Sequence, residues 1–444
     1  MIQKAAELYQ LRISMNYITE SKYFFIKTFG CQMNFYDSSL YEDYLLENGF
    51  KKAENIEDAS ILLVNTCAVR EKSVSKVISF LGQVKKLNTN NKRLIVYLLG
   101  CMSPIYADSL KRDGLIDFAI GPLNSNSIPY EFKRLISQIE GFSEKVKKIE
   151  NKNFSRSITV IYGCNYFCSY CIVPYVRGKE RSVPFDEVIN RIKLYSENGA
   201  REITLLGQNV DHYGFDLPNS VNFSTLLNEV AKINKIEKID FITSHPKDFN
   251  IEIINIMKES NKIYRHFHLP IQSGDDRILK LMNRNYSVYE YLKLIDKIRD
   301  SFPLASITTD IIVGFPSEDE PSFLNTIELV KKVKFDKIYL ATYSKRPMTK
   351  ASKIDSEVDP CEKKRRLNHL LSLERDISIN RSKRFIGTEE DVFLTTKLSK
   401  NKYLGKNLEE REVLLSSINE LQTGDIVKVK VTECDRTRLI GNAI

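Results

Sequence analysis

The stretch SITVIYGCNYFCSYCIVPYVRGKERS, Ser157–Ser182, sets three cysteines, Cys164, Cys168 and Cys171, directly behind a short apolar run. That run, Ile158–Tyr162, is β-rich and has the length of a buried strand, so the cysteines fall in the loop that leaves its carboxyl end. Thiolates spaced C-x-x-x-C-x-x-C can wrap a single metal centre, and soft sulfur ligands suit both iron–sulfur clusters and zinc. A structural zinc site uses four protein ligands, commonly from paired C-x-x-C hairpins. Only three cysteines are local here, with His212 the nearest further candidate. Three-thiolate ligation of a [4Fe–4S] cluster instead leaves one iron open to a substrate.

Outward from this loop the chain alternates strand and helix. On the carboxyl side, strand candidates at Glu202–Leu206, Ile239–Thr243, His266–Leu269, Ser306–Val313 and Lys337–Tyr343 are separated by helical stretches such as Phe185–Glu197 and Pro321–Val333. Together with Ile158–Tyr162 these predict a curved, incomplete (β/α)6 barrel with its active site at the carboxyl ends of the strands. On the amino side, Tyr23–Thr28, Ile61–Val64, Leu94–Leu99 and a weaker Phe118–Ile120 are β-rich runs, the first three followed by helices beginning near Ser38, Arg70 and Pro104. They predict a parallel α/β domain over 22–138. Beyond the basic helix around Lys363–Arg384, short β-rich runs punctuated by Gly405 and Gly424 predict a small antiparallel barrel of about five strands, similar to OB-type folds. The fold class is α/β multidomain. Residues 1–21 are assigned to an extension, 139–153 to a charged linker, 154–380 to the barrel and 381–444 to the small β domain.

Composition narrows the setting. Lys and Arg exceed Asp and Glu by 66 to 57 for a formal charge of +9, which favours a polyanionic partner or simply a lysine-rich solvated surface. There is no signal-peptide pattern and no apolar run long enough to cross a bilayer, so a cytoplasmic, membrane-free protein is expected. Eight cysteines without a secretory signal point to metal ligation or catalysis rather than a disulfide framework. Cys361 and Cys434 stand alone.

The predicted barrel strands end in LLGQN, TSHP, HLPIQSG and DIIVGFP. Small and polar residues there let backbone approach a ligand and offer hydrogen bonds to ribose and carboxylate groups. Gln208, Ser244, Gln272, Ser273, Asp310 and Gly314 are the candidate cofactor contacts, although any one such end could be an ordinary β/α turn. Cys31, Cys67 and Cys101 each fall just past a predicted parallel strand, in KTFGC, LVNTC and YLLGC. Carboxyl ends of neighbouring strands lie side by side, so the three could converge on a second metal. Three separate buried thiols fit the same spacing.

The C-x-x-x-C-x-x-C spacing resembles the radical S-adenosylmethionine (SAM) superfamily, in which the open iron chelates SAM. By that resemblance Tyr170, the aromatic residue before the last cysteine, lies beside the adenine. More broadly, TFGCQMNFYDSS, VNTCAVREKS, LLGCMS, the Ser157–Ser182 stretch, GQNV, TSHP, HLPIQSGDDRILKLMNR and TDIIVGFP together resemble the methylthiotransferase family, collinearly from about Lys22 onward. GCQMN followed by DS, and RGKERS, most resemble the branch that acts on N6-isopentenylated adenosine in tRNA, whereas the branches that modify threonylcarbamoyl-adenosine or a ribosomal protein tend to differ there.

The resemblance implies two [4Fe–4S] clusters, one on Cys164, Cys168 and Cys171 that cleaves SAM to a 5′-deoxyadenosyl radical, and an auxiliary one on Cys31, Cys67 and Cys101. It implies hydrogen abstraction from C2 of an N6-isopentenylated adenosine beside the anticodon and addition there of a sulfur methylated by a second SAM. The small β domain is then a TRAM domain that grips RNA. Its candidate contacts are Lys400, Lys402, Tyr403, Lys428 and Arg436, where basic groups interleave with an aromatic, with a merely solvated β surface as the alternative. A flavodoxin-type electron donor, an external sulfur source and a monomeric state are also expected. The alternatives are a methylthiotransferase acting on threonylcarbamoyl-adenosine in tRNA or on a ribosomal protein aspartate, and a non-enzymatic iron–sulfur or zinc RNA-binding protein. The sequence departs from the family pattern at Met348, where Gly is common, and at Val183, where Arg is usual.

Overall fold

The computed structural model describes residues 22–68, 71–87, 94–137, 154–218 and 220–444. The predicted extension, 1–21, and linker, 139–153, lie outside the described residues. Tyr23–Phe29 (β1), Lys51–Lys52 (β2), Ile61–Thr66 (β3), Ile95–Gly100 (β4) and Phe118–Ile120 (β5) form one parallel sheet in the order β2-β1-β3-β4-β5. Every residue of β3 and β4 is buried, as happens when helices cover both faces of a parallel sheet. The register aligns Phe29 with Thr66 and Thr66 with Gly100, so the carboxyl ends of the three strands finish level.

The first helix starts earlier than the apolar period suggests. It spans Gln32–Glu47 rather than beginning near Ser38, because Cys31 occupies its N-cap and the Asn34 side chain reaches back to the Cys31 backbone N–H at 3.3 Å. Asn does the work that Glu or Gln does in the usual capping box.

The chain divides into two compact units. The first contains this sheet together with Tyr162–Asn165 and Ile172–Arg181 of the cysteine stretch; the second contains Tyr166–Cys171 and everything from Ser182 onward. In the second unit, Ser155–Thr159 (β6) pairs with Glu202–Leu206 (β9), and β9 with Lys238–Ile242 (β10), all parallel. The short strands Ile161–Tyr162 (β7) and Arg181–Ser182 (β8) flank the cysteine loop in sequence. The predicted first barrel strand is therefore split, with β6 ending at Thr159. His266–His268 (β11), Ser306–Val313 (β12) and Lys337–Thr342 (β13) form a second parallel set, and a bridge between Ile239 and Ile263 joins the two. The order β6-β9-β10-β11-β12-β13 is the open six-stranded barrel, with β6 and β13 as its edges.

Glu389–Ser399 (β14), Lys402–Lys406 (β15), Glu412–Ser416 (β16), Ile426–Cys434 (β17) and Arg438–Ala443 (β18) close into a five-stranded barrel. It is not wholly antiparallel, because β16 runs parallel to β18. The helix Pro360–Lys383 leads into it, and the junction is an ion cluster: the Asp336 carboxylate receives Arg411 at 2.5 Å, Arg384 at 2.8 Å and Arg381 at 3.3 Å. Among the described residues no helix is long and apolar enough to cross a membrane.

Candidate active site

The loop carrying Cys168 and Cys171 is fastened by backbone contacts from a segment far away in sequence. Met282 O accepts from Ser169 N–H at 2.9 Å, Leu281 O accepts from the Ser169 hydroxyl at 2.7 Å, and Asn283 Nδ2 donates to the carbonyls of Tyr166 and Phe167 at 2.9 and 3.2 Å. Ala351 N–H donates to Ser169 O at 2.7 Å, and Cys171 N–H to Cys168 O at 2.9 Å. Phe167, at φ 48°, is held in the left-handed region, a strain that surrounding contacts must offset. Cys168 is buried, and Arg284 Nη1 points to its sulfur at 3.6 Å. Burial disfavours the Arg284 charge, yet Tyr286, Tyr170 and Cys168 outweigh it and keep the guanidinium protonated. Tyr170 packs against Ile278, Met282, Phe315, Tyr343 and Ala351, and burial, followed by the neighbouring Cys168, pushes its phenol far up. In the first unit, Cys164 N–H donates to Gly178 O at 3.2 Å, and Gly163, at φ 76°, precedes it where a Cβ would sit 2.1 Å from Lys179 O.

Cys31, Cys67 and Cys101 follow three adjacent, level strand ends. Cys67 N–H donates to Phe29 O at 2.9 Å and Cys101 N–H to Thr66 O at 2.8 Å, so these two cysteines are bonded to the neighbouring strand. Asn34 ties the group together: its Oδ1 accepts from Cys31 Sγ at 3.3 Å, and its Nδ2 donates to Asn65 Oδ1 at 3.0 Å and Thr66 O at 3.1 Å. Arg177 is paired with Asp37 at 3.1 Å, both side chains 2% exposed, while Arg177 Nη1 and Asp37 Oδ1 have no hydrogen-bond partner of their own. Burial pushes the Cys101 thiol up and Arg177 pulls it back; burial likewise raises Asp37 to about 6 against the same arginine. The sequence held a signal for Asn34 and Arg177, which lie in GCQMN and RGKERS, but gave no reason for those residue types.

None of the eight cysteines is in a disulfide. Among the described residues, only Asp240, His266 and Glu410 form a group of three or more potential metal-ligating atoms within 4.8 Å of one another, and no cysteine belongs to it. Tetrahedral zinc would draw its sulfurs to about 3.8 Å from each other, given Zn–S near 2.3 Å. The cationic N–H donors of Arg284 and Arg177 beside these thiols fit an anionic cluster.

The six candidate cofactor residues lie at or just past the strand ends but are not alike. Ser244 donates to Asp211 Oδ1 at 3.2 Å, and burial raises that carboxyl to about 8. Gln272, at φ 75°, is pinned by Gln272 N–H to Asp310 O at 2.9 Å and Ile312 N–H to Gln272 O at 3.0 Å. Gly314, at φ 69°, donates its N–H to Glu318 at 2.6 Å, and a Cβ there would meet Lys363 Cγ at 2.3 Å. Asp310 and Gln208 remain partly exposed, with Asp310 Oδ2 3.4 Å from His268 Nε2. Ser273 is 0% exposed, and its hydroxyl accepts from Asp275 N–H at 3.3 Å. Histidine contributes packing: His245 stacks on Tyr166 with centroids 4.0 Å apart, and burial lowers it to about 2.

In the C-terminal barrel Lys400 and Lys402 are exposed, whereas Lys428 pairs with Asp391 at 3.2 Å. Tyr403 is 1% exposed and fills the barrel core with Val392, Leu394 and Val413, so its ring has no face for a base. The pattern Lys-Tyr-Leu-Gly-Lys alternates along β15, which turns the aromatic inward. Arg436 is engaged by the buried Glu374 of the helix Pro360–Lys383 and serves the junction. Met348 occupies φ 67°, which explains why Gly suits that position, and Val183 is buried with its carbonyl receiving the Tyr213 hydroxyl at 2.9 Å.

The sequence matches the Radical SAM superfamily over residues 158–330 and the family described as Uncharacterized protein family UPF0004 over residues 23–121. It is 39% identical over 439 residues to the tRNA-2-methylthio-N(6)-dimethylallyladenosine synthase of Natranaerobius thermophilus, covering 95% of this chain and 96% of that protein. It is 38% identical over 431 residues to the protein of the same name from Thermosipho africanus, covering 95% and 99%. Among solved structures, the radical S-adenosylmethionine methyltransferase TsrM from Kitasatospora setae aligns with a TM-score of 0.52 at 12% identity over 85% of this chain and 79% of that one, a likeness of fold. With both family segments matched in order and near-complete coverage of relatives that share one name, the chain belongs to the tRNA-2-methylthio-N(6)-dimethylallyladenosine synthase family of radical SAM enzymes.

Proposed function

We propose that this enzyme adds a methylthio group to C2 of N6-isopentenyladenosine beside the anticodon of tRNA. The observation that carries the reading is the pairing of two cysteine trios, one in the loop that follows β7 and one just past the level ends of the parallel strands β1, β3 and β4, in a chain collinear with the synthases over 95% of its length. Cys164, Cys168 and Cys171 would hold a [4Fe–4S] cluster, and Cys31, Cys67 and Cys101 a second. A cluster bound at the first trio supplies the electron for reductive cleavage of SAM. The protein's own part is to hold and to exclude. Tyr170 closes one side of the SAM position with an apolar wall, Gln272 and Gly314 bring backbone close, and Gln208, Ser244 and Asp310 offer polar groups to ribose and carboxylate. Asn34 Oδ1 accepts from the Cys31 sulfur, and the buried Arg177 brings positive charge near Cys101.

Lys400 and Lys402 are the exposed cations from which RNA contact in the C-terminal barrel would start. A flavodoxin-type reductant, an external sulfur source, a monomeric state and a cytoplasmic setting complete the proposal.

The two trios have separable roles. Cys67→Ala removes one ligand from the second site while its backbone N–H can still bond Phe29 O. With reductant, SAM and isopentenylated tRNA, this variant should still form 5′-deoxyadenosine at a rate near the wild type's, while methylthiolated nucleoside falls to background. Retained methylthiolation would remove the second trio from the reaction.

A further inference from the structure

Arg284 is 7% exposed and 116 residues from Cys168 in sequence, yet its guanidinium joins two parts of the site. Nη1 donates toward Cys168 Sγ at 3.6 Å. Nη2 donates to Pro270 O at 2.7 Å, and Nε donates to the Tyr286 hydroxyl at 2.9 Å. That hydroxyl lies 3.1 Å from Pro270 O and 3.0 Å from Ile271 O, so Arg284 and Tyr286 grip the same backbone. Gln272 follows at φ 75°, locked to β12 on both its N–H and its carbonyl. Among the described residues no carboxylate lies within ion-pair distance of Arg284. A buried cation without a counter-ion is costly unless something anionic stands beside it. The sulfur it faces belongs to the trio proposed to hold a cluster.

Hydrogen bonds and positive charge at a ligand sulfur favour the reduced form of an iron–sulfur cluster, because reduction adds negative charge next to the donor. The same side chain fixes the carbonyl two residues ahead of the left-handed Gln272. We infer that Arg284 is a positioning residue that couples the cluster to the SAM-binding loop: it raises the reduction potential through Cys168 and holds the Pro270–Gln272 backbone in its ligand-ready shape. This rests on the assignment of Cys164, Cys168 and Cys171 as cluster ligands.

Potentiometric titration of the reconstituted holoenzyme, followed by the EPR signal that changes on adding SAM, tests it. In Arg284→Gln the oxidised-to-reduced ratio at a fixed poise should rise at least tenfold, a fall of about 59 mV for a one-electron couple. Arg284→Lys keeps the charge but not the fork that reaches both Cys168 and Pro270, so its potential should return most of the way while its SAM affinity stays weakened. A wild-type potential in Arg284→Gln with iron retained would overturn the inference. If Arg284→Gln retains no iron, Arg284→Lys decides: a potential near the wild type's with weakened SAM binding supports the coupling, and any other pairing overturns it. Absence of a SAM-sensitive signal in the wild type would instead refute the cluster assignment.

Discussion

Cys168→Ala should lower 5′-deoxyadenosine formation more than about a thousandfold, the equivalent of about 4 kcal/mol of lost activation. The loop around Cys168 is held by Ser169 N–H to Met282 O, the Ser169 hydroxyl to Leu281 O, Asn283 to Tyr166 and Phe167, and Cys171 N–H to Cys168 O. None of these uses the Cys168 side chain. Removing the sulfur therefore leaves the loop in place, and the Arg284 N–H that faced it loses its acceptor. The loss should lie in cluster binding, so iron per chain should fall together with SAM cleavage while circular dichroism stays unchanged. Normal SAM cleavage by this variant would mean that the radical generator is elsewhere.

Asp336→Asn should be the most damaging single change to stability, by about 3–5 kcal/mol at pH 7, the range for breaking a buried ion pair from one side. Three arginines, Arg381, Arg384 and Arg411, converge on a carboxylate whose side chain is 2% exposed, and Ile307 N–H adds a bond at 2.9 Å. Burial alone would raise the Asp336 carboxyl; Arg384, Arg381 and Arg411 overcome it and hold it at about 2. Arg384 is itself brought down to about 10 by burial. A folded-state value below the unfolded one means that the contribution is complete above pH about 4 and lost as pH falls through about 2. Because Arg411 comes from the C-terminal barrel and Arg381 and Arg384 from the end of the helix before it, the cluster ties that barrel to β13. Urea midpoints of wild type and variant should lie far apart at pH 7 and draw together near pH 2. A gap below about 1 kcal/mol at pH 7 would reduce the junction to a surface pairing.

Much of this arrangement is visible in the chain because it rests on local regularities. β3 and β4 are unbroken apolar runs because they are covered on both faces, and the cysteine after each is level because parallel strands in register end together. What stayed hidden depends on contacts made through space. Cys31 starts a helix only because Asn34 folds back onto it, and no apolar period marks such a cap. Tyr403 reads as a stacking aromatic among lysines, but alternation along β15 turns it into the barrel core. Arg436 stands among the basic residues of the last strands, and the buried Glu374 carboxylate beside it leaves no mark in the local sequence. Arg284 sits in a run that resembled the family, yet its link to Cys168 spans 116 residues and leaves no trace in spacing. Met348 shows the reverse: the departure from Gly was plain in sequence, and φ 67° supplies its reason.

The most direct test is anaerobic incubation of the reconstituted protein with reductant, SAM and tRNA bearing N6-isopentenyladenosine beside the anticodon, followed by digestion and mass spectrometry of the nucleosides. Conversion to the 2-methylthio derivative, accompanied by 5′-deoxyadenosine, is the expected result. Accumulation of 5′-deoxyadenosine with the isopentenyladenosine left unmodified would contradict the proposed reaction.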